Sequence, residues 1–171
     1  MKAVMISIQP KWCELIASGK KTVEVRKTKP KLETPFKVYI YQTKMQWVYS
    51  VLRNMGWHKL VNKLALGTGK VIGEFVCECV TSLKADNIVQ AYYNNTQATC
   101  LTDTEIKDYA NGGKLYYWHI SDPVIYDKPR ELNEFHKPTM PTELRYENDI
   151  ITRPPQSWCY VESEGEGNDK T

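Results

Sequence analysis

A chain of 171 residues, 42% hydrophobic and 25% charged, is long enough for one domain with its own core and too ordinary in composition for a disordered or fibrous protein. No apolar run reaches the ~20 residues of a membrane span, so no membrane role is expected. The formal net charge of +3 is too small to decide a partner by itself.

Lys2 to Ile8 is rich in apolar and β-branched residues and predicts an opening strand. Pro10 and Lys11 interrupt it too early for a secretory leader, and a cytoplasmic protein is expected. Pro10 is placed to start a short helix through Ser18, with Trp12, Cys13, Leu15 and Ile16 on its apolar side and Gly19 as its stop. Val23-Glu24-Val25-Arg26 alternates with period two and predicts a strand. Phe36 to Gln42 is a third strand, reached through a turn bracketed by Pro30 and Pro35.

Residues 45–64 read as a helical insert, with Met45, Val48, Leu52, Met55, Leu60 and Leu64 at helical spacings. With Trp47 and Trp57 these residues form an apolar stripe that packs on the domain or meets a partner, although no obligate protein partner is evident. Lys70 to Val80 is the longest predicted strand, with Val71, Gly73, Phe75, Cys77 and Cys79 on one face. Helices follow at 85–93 and 102–110, the second opened by a Thr102–Glu105 capping box. Leu115 to Ile120 resumes as a strand. Residues 122–161 then read as a wrapping extension, irregular through four prolines up to Thr142 and ending in a short strand from Pro154 through Val161, entered by a double proline. Residues 162–171 are an acidic, flexible tail. The order predicts a single α+β domain over 1–161. Its mixed, mostly antiparallel sheet curls toward a β-barrel with helices packed at its ends.

Five cysteines at irregular spacing give no disulfide framework. Cys77-x-Cys79 lacks the further ligands of a zinc site, so neither a metal nor a cofactor is expected and the thiols read as buried. Charge is more informative by position. Residues 1–70 hold fourteen lysines and arginines against Glu14, Glu24 and Glu33, which favours an anionic partner such as RNA or a nucleotide-like small molecule. Among the aromatics, Trp118 shares a strand face with Tyr116 and Ile120, while Tyr117 and His119 lie on the other. One face must be core and the other is free to stack bases. Trp158 in the last strand is placed to close a cleft.

The densest signal is Ser7-Ile8-Gln9-Pro10 followed by Gly19-Lys20-Lys21-Thr22-Val23-Glu24-Val25-Arg26. A helix ends at glycine, Lys21 stands at the corner, and Glu24 and Arg26 share one face of the next strand. A glutamate two places from an arginine holds the guanidinium in one orientation, ready for bidentate contact with phosphate or a base edge. The pattern Gly-x-Lys-x-x-Glu-x-Arg, after a strand, a proline and a short helix, resembles the signature of ASCH domains, relatives of the PUA RNA-binding domain. Gly19, Lys21, Glu24 and Arg26 fill its four positions. The insert and the extension are similar to those of phage- or prophage-encoded members.

The resemblance implies a PUA-like barrel with a cleft that binds RNA, a nucleotide or a nucleoside, lined by Ser7, Lys20, Lys21, Glu24, Arg26, Trp118 and Trp158. It also implies an alternative, a hydrolase acting on a modified nucleoside or on RNA, with Lys21 and Glu24 as catalytic groups. A branch of the family with amidohydrolase activity uses a lysine, a threonine and a glutamate. Lys21 matches the first, Glu24 stands at the second, and the stretch 94–99 offers no carboxylate for the third. Binding is therefore the leading expectation and catalysis the runner-up.

Overall fold

The computed structural model describes residues 2–44, 51, 53–57, 68–84, 97–138 and 149–163. Most of the 45–64 insert, the 85–93 helix and the tail beyond 163 lie outside the described residues. The elements in order are β1 (Lys2–Ile8), α1 (Pro10–Ala17), β2 (Val23–Arg26), β3 (Phe36–Gln42), β4 (Val71–Lys84), α2 (Asp103–Ala110), β5 (Lys114–Arg130), a 3₁₀ turn (Leu132–Glu134) and β6 (Trp158–Glu162). No helix among the described residues is long and apolar enough to cross a membrane.

The six strands form one sheet in the order β2-β5-β4-β3-β1-β6. Only β1 and β3 run parallel, with Val4 opposite Val38 and Ile6 opposite Ile40. The other pairs are antiparallel. The sheet curls until its two edge regions approach each other. Arg26 Nη2, on β2, donates to the Ser7 carbonyl of β1 at 2.6 Å, and Trp158 Nε1, on β6, donates to Thr28 Oγ1 at 2.9 Å. Among the described residues no strand pairing joins β2 to β6, so the curl stops short of a closed barrel and leaves a seam.

Burial on both faces of the sheet explains why β1 is a continuous apolar run rather than an alternating one. Val4, Ile6 and Ile8 point into the main core with Phe36, Val38, Ile40, Phe75, Cys77 and Trp118. Ala3 and Met5 point the other way, to Tyr39, Tyr41, Phe135 and Ile151. A third cluster, Val23 and Val25 with Leu115, Tyr117, Ile106 and Ala110, docks α2 on β2 and β5. As the alternation in Val23–Arg26 predicts, β2 turns its valines toward the helix and its charges into the curl.

Three expectations are corrected. Residues 122–130 do not wander: they are the second half of β5 and pair with β4, Val124 opposite Glu74 and Arg130 opposite Val71. The prolines are tolerated there because, among the described residues, β2 pairs with β5 over Tyr116 to His119 and the chain just ahead of it bonds once more, through Ile120 N–H to the Thr22 carbonyl, so positions 123 and 129 lie past its reach on an edge. Cys79 does not share the buried face of Cys77. A register shift between them leaves Cys79 exposed, while burial pushes the Cys77 thiol up to about 12. Glu162, read as the first residue of the tail, belongs to β6 and pairs with Lys2.

Candidate functional site

The site is built outward from the end of α1. Gly19 adopts φ +70°, so the chain reverses; its N–H donates to the Ile16 carbonyl at 2.9 Å, and Lys21 N–H donates to the Leu15 carbonyl at the same distance. A Cβ on Gly19 would meet nothing within 4 Å, so the need for glycine is purely conformational. Gly19→Ala is accordingly expected to lower stability by about 1 kcal/mol. A urea unfolding curve reads it as a lower midpoint at unchanged slope.

The reversal drives Lys21 inward. Its side chain is only 2% exposed, and Nζ donates to the Thr99 carbonyl at 2.6 Å while lying 3.4 Å from Glu24 Oε2. Thr22 N–H donates to the Ala98 carbonyl at 2.9 Å, which fastens the chain before α2 to the same corner. Arg26 Nη2 is 3.0 Å from Glu24 Oε1, with side-chain exposures of 11% and 9%. One carboxylate is thus held between two cations, one on each oxygen, in a place almost closed to water. Arg26 Nε is buried with no hydrogen-bond partner among the described residues, and a buried donor is costly to leave without an acceptor. Register places Glu24 beside Trp118 and Arg26 beside Tyr116, so the array rests on the aromatic part of the core.

Above the array opens a cleft of about 370 Å³, within the ~300–1,000 Å³ range of small-molecule sites. Ser7, Ile8 and Gln9 of the β1–α1 junction form one wall, with Lys21, Glu24, Val25 and Arg26 beneath. Trp12 of α1 and Tyr109 of α2 both line it, joined by Thr43, Leu101, Glu105 and Gln156. Lys11 Nζ lies 4.2 Å from the Trp12 ring centre and Lys27 Nζ 5.1 Å from that of Tyr109. The charged residues of the lining balance, Lys21 and Arg26 against Glu24 and Glu105, whereas Lys11 and Lys27 are exposed beside it.

Two further groups at the cleft have defined states. Thr102 binds the Glu105 carboxylate through its backbone N–H and its hydroxyl, both at 2.8 Å to Oε2, and these bonds hold the carboxyl below the ordinary range. Behind the wall, burial and secondarily the Glu24 carboxylate push the Cys13 thiol up to about 12, so it stays a protonated core group.

Of the residues expected at the site, Ser7, Lys21, Glu24 and Arg26 come together along the cleft. Ser7 Oγ donates to the Pro155 carbonyl at 2.6 Å. Lys20 is exposed and outside the lining. Trp118 is fully buried, packed edge-on against Phe36 at 5.7 Å, and does not face the cleft. Its neighbour Tyr117 is 2% exposed, so neither ring is open to a stacking base: Tyr117 packs with α2 and Trp118 with the main core of the curled sheet. Trp158 bridges the seam through Thr28 and contacts Trp118, 6.1 Å between ring centres, but does not line the cleft. The aromatic walls come from the helices instead. The spacing of Glu105 and Tyr109, four apart on one helix face, is a signal that was present in the sequence. What linked that face to Lys21 was not, because the two lie some 84 positions apart.

A curled, mostly antiparallel sheet with helices against it, holding a polar cleft at its incomplete seam, is a PUA-like α+β domain. The chain belongs to the ASCH domain family, whose model matches residues 6–128. Among solved structures, an ASCH protein from Zymomonas mobilis superposes with a TM-score of 0.60 at 22% identity, over 94% of this chain and 87% of that one. A serine-to-alanine variant of that protein gives 0.61 at 20% identity, over 94% and 88% of the two chains. A tyrosine-to-phenylalanine variant gives 0.60 at 22%, over 95% and 91%. No curated protein matches the sequence.

Proposed function

We propose that the cleft binds RNA, taking one nucleotide between Trp12 and Tyr109 above the Lys21–Glu24–Arg26 array. The observation that carries this reading is a closed ionic floor beneath two aromatic walls. Both Glu24 oxygens and the Lys21 ammonium are already paired inside the chain, which suits them to shape a pocket and present to a ligand acceptor the Arg26 Nε–H, unpartnered among the described residues. The balanced lining favours an uncharged base over a phosphate inside. Exposed Lys11, Lys20 and Lys27 favour the phosphodiester backbone at the rim. The family resemblance and the PUA-like fold point the same way.

Tyr109→Ala removes an exposed ring and leaves the core untouched, so the variant is expected to fold normally. Its affinity for single-stranded RNA should fall by about 1–3 kcal/mol, the usual worth of one stacked base. Lys11→Ala with Lys27→Ala should also flatten the dependence of log affinity on log salt by about 1.4, roughly 0.7 for each phosphate no longer neutralised. Fluorescence anisotropy measures both. Unchanged affinity in Tyr109→Ala would remove the cleft from consideration. The second reading, hydrolysis with Lys21 and Glu24 as catalytic groups, is tested on the same samples: cleavage of the RNA, or deacylation of an acylated nucleoside, that disappears in Lys21→Ala would establish it.

A further inference from the structure

We propose that Glu105 makes the cleft selective for nucleobases that carry an exocyclic amino group, adenine, cytosine and guanine, over uracil. The inference rests on the reading of the cleft as a base-binding site and deepens it. Two carboxylates line the cleft. Glu24 has both oxygens occupied, Oε1 by Arg26 and Oε2 by Lys21. Glu105 has only Oε2 occupied, by the backbone N–H and hydroxyl of Thr102. Its Oε1 accepts no hydrogen bond among the described residues, so it is the charged acceptor the cleft can offer to a ligand.

The oxygen is also held in place. Glu105 stands at the third position of α2, and its capping box with Thr102 fixes Oε2 by two hydrogen bonds while Thr102 Oγ1 accepts from Glu105 N–H at 3.2 Å. A carboxylate so anchored keeps its charge and loses little freedom on meeting a donor. An ionised carboxylate is an acceptor only. It therefore takes a hydrogen from the amino group of cytosine or adenine, the pairing that carboxylates make with cytosine N4 in groove recognition. Uracil presents its one imino N–H between two carbonyl oxygens, and those oxygens repel the carboxylate. The amides of Gln9 and Gln156 can turn to suit either kind of edge, so the discrimination falls to the group that cannot.

The experiment uses the full chain and short labelled oligomers of cytidine, adenosine and uridine, with anisotropy titrations of the wild type and of Glu105→Gln. Glutamine also completes a capping box, so α2 is retained, which circular dichroism confirms. The wild type should bind oligocytidine and oligoadenosine about three- to tenfold tighter than oligouridine, the net worth of a hydrogen bond to a group that water also reaches. In Glu105→Gln, whose amide can donate as well as accept, the ratio should fall toward one, mainly through tighter uridine binding. A fall of all three affinities together, with the ratio kept, would reflect a structural role and overturn the proposal. So would equal affinities in the wild type, while loss of binding in Tyr109→Ala would leave the cleft reading standing. If the wild type binds none of the three, both readings fall.

Discussion

Replacing Glu24 with alanine is expected to cost about 3–5 kcal/mol of folding stability, the range for removing one member of a buried ion pair. Glu24 is the shared counter-charge of Lys21 and Arg26, and all three side chains are close to fully buried. Alanine leaves two cations near each other with little water to screen them. For a chain of this length the loss corresponds to a fall in melting temperature of roughly 6–20 °C, at about 2–4 °C per kcal/mol. Thermal melts and urea titrations measure it. The double variant Lys21→Met with Glu24→Leu should recover part of the loss, since a buried charge pair can often be exchanged for apolar packing. A loss from Glu24→Ala below about 1 kcal/mol, the range for exposed pairs, would show that water reaches the array.

Trp118→Ala should be comparably damaging, at about 3–5 kcal/mol for a large aromatic removed from a packed core. Trp118 is fully buried and lies between Phe36 and Trp158, next to Glu24 across the β2–β5 ladder. Its removal opens space where the ionic floor meets the apolar interior. Trp158→Ala should cost less, because that ring is only partly buried. Trp118→Phe should cost less than its lost volume implies, since Trp118 Nε1–H is buried without a hydrogen-bond partner among the described residues and phenylalanine has no such group to strand. Urea midpoints for the three variants give the order directly. If Trp158→Ala proves the more costly, the hinge of the core is the seam and not the centre of the sheet.

The segment from Lys2 to Gln42 was legible because its signals are local. Period-two alternation set β2, Pro10 and Gly19 bracketed α1, and the motif spacing put Lys21, Glu24 and Arg26 on one side of the chain. Legibility failed wherever a property depended on a distant neighbour. The prolines at 123 and 129 read as breakers, and only the short reach of β2 along β5 makes them harmless. Trp118 looked available for stacking because a single strand cannot reveal which face the curled sheet will enclose, nor that α2 will cover the other. Glu105 and Tyr109 were readable as one helix face, but their sharing a cleft with Trp12 follows from long-range bonds such as Lys21 Nζ to the Thr99 carbonyl.

The guanidinium of Arg26 has two duties that cannot be separated. The nitrogen that holds Glu24 also ties β2 to the Ser7 carbonyl of β1, while Nε is the group that the proposed binding would use. If the cleft binds as proposed, recognition and architecture share one side chain. A lineage could retune the walls of this pocket freely, through helix residues such as Trp12, Glu105 and Tyr109, while its floor stays locked by the requirement that the molecule hold together.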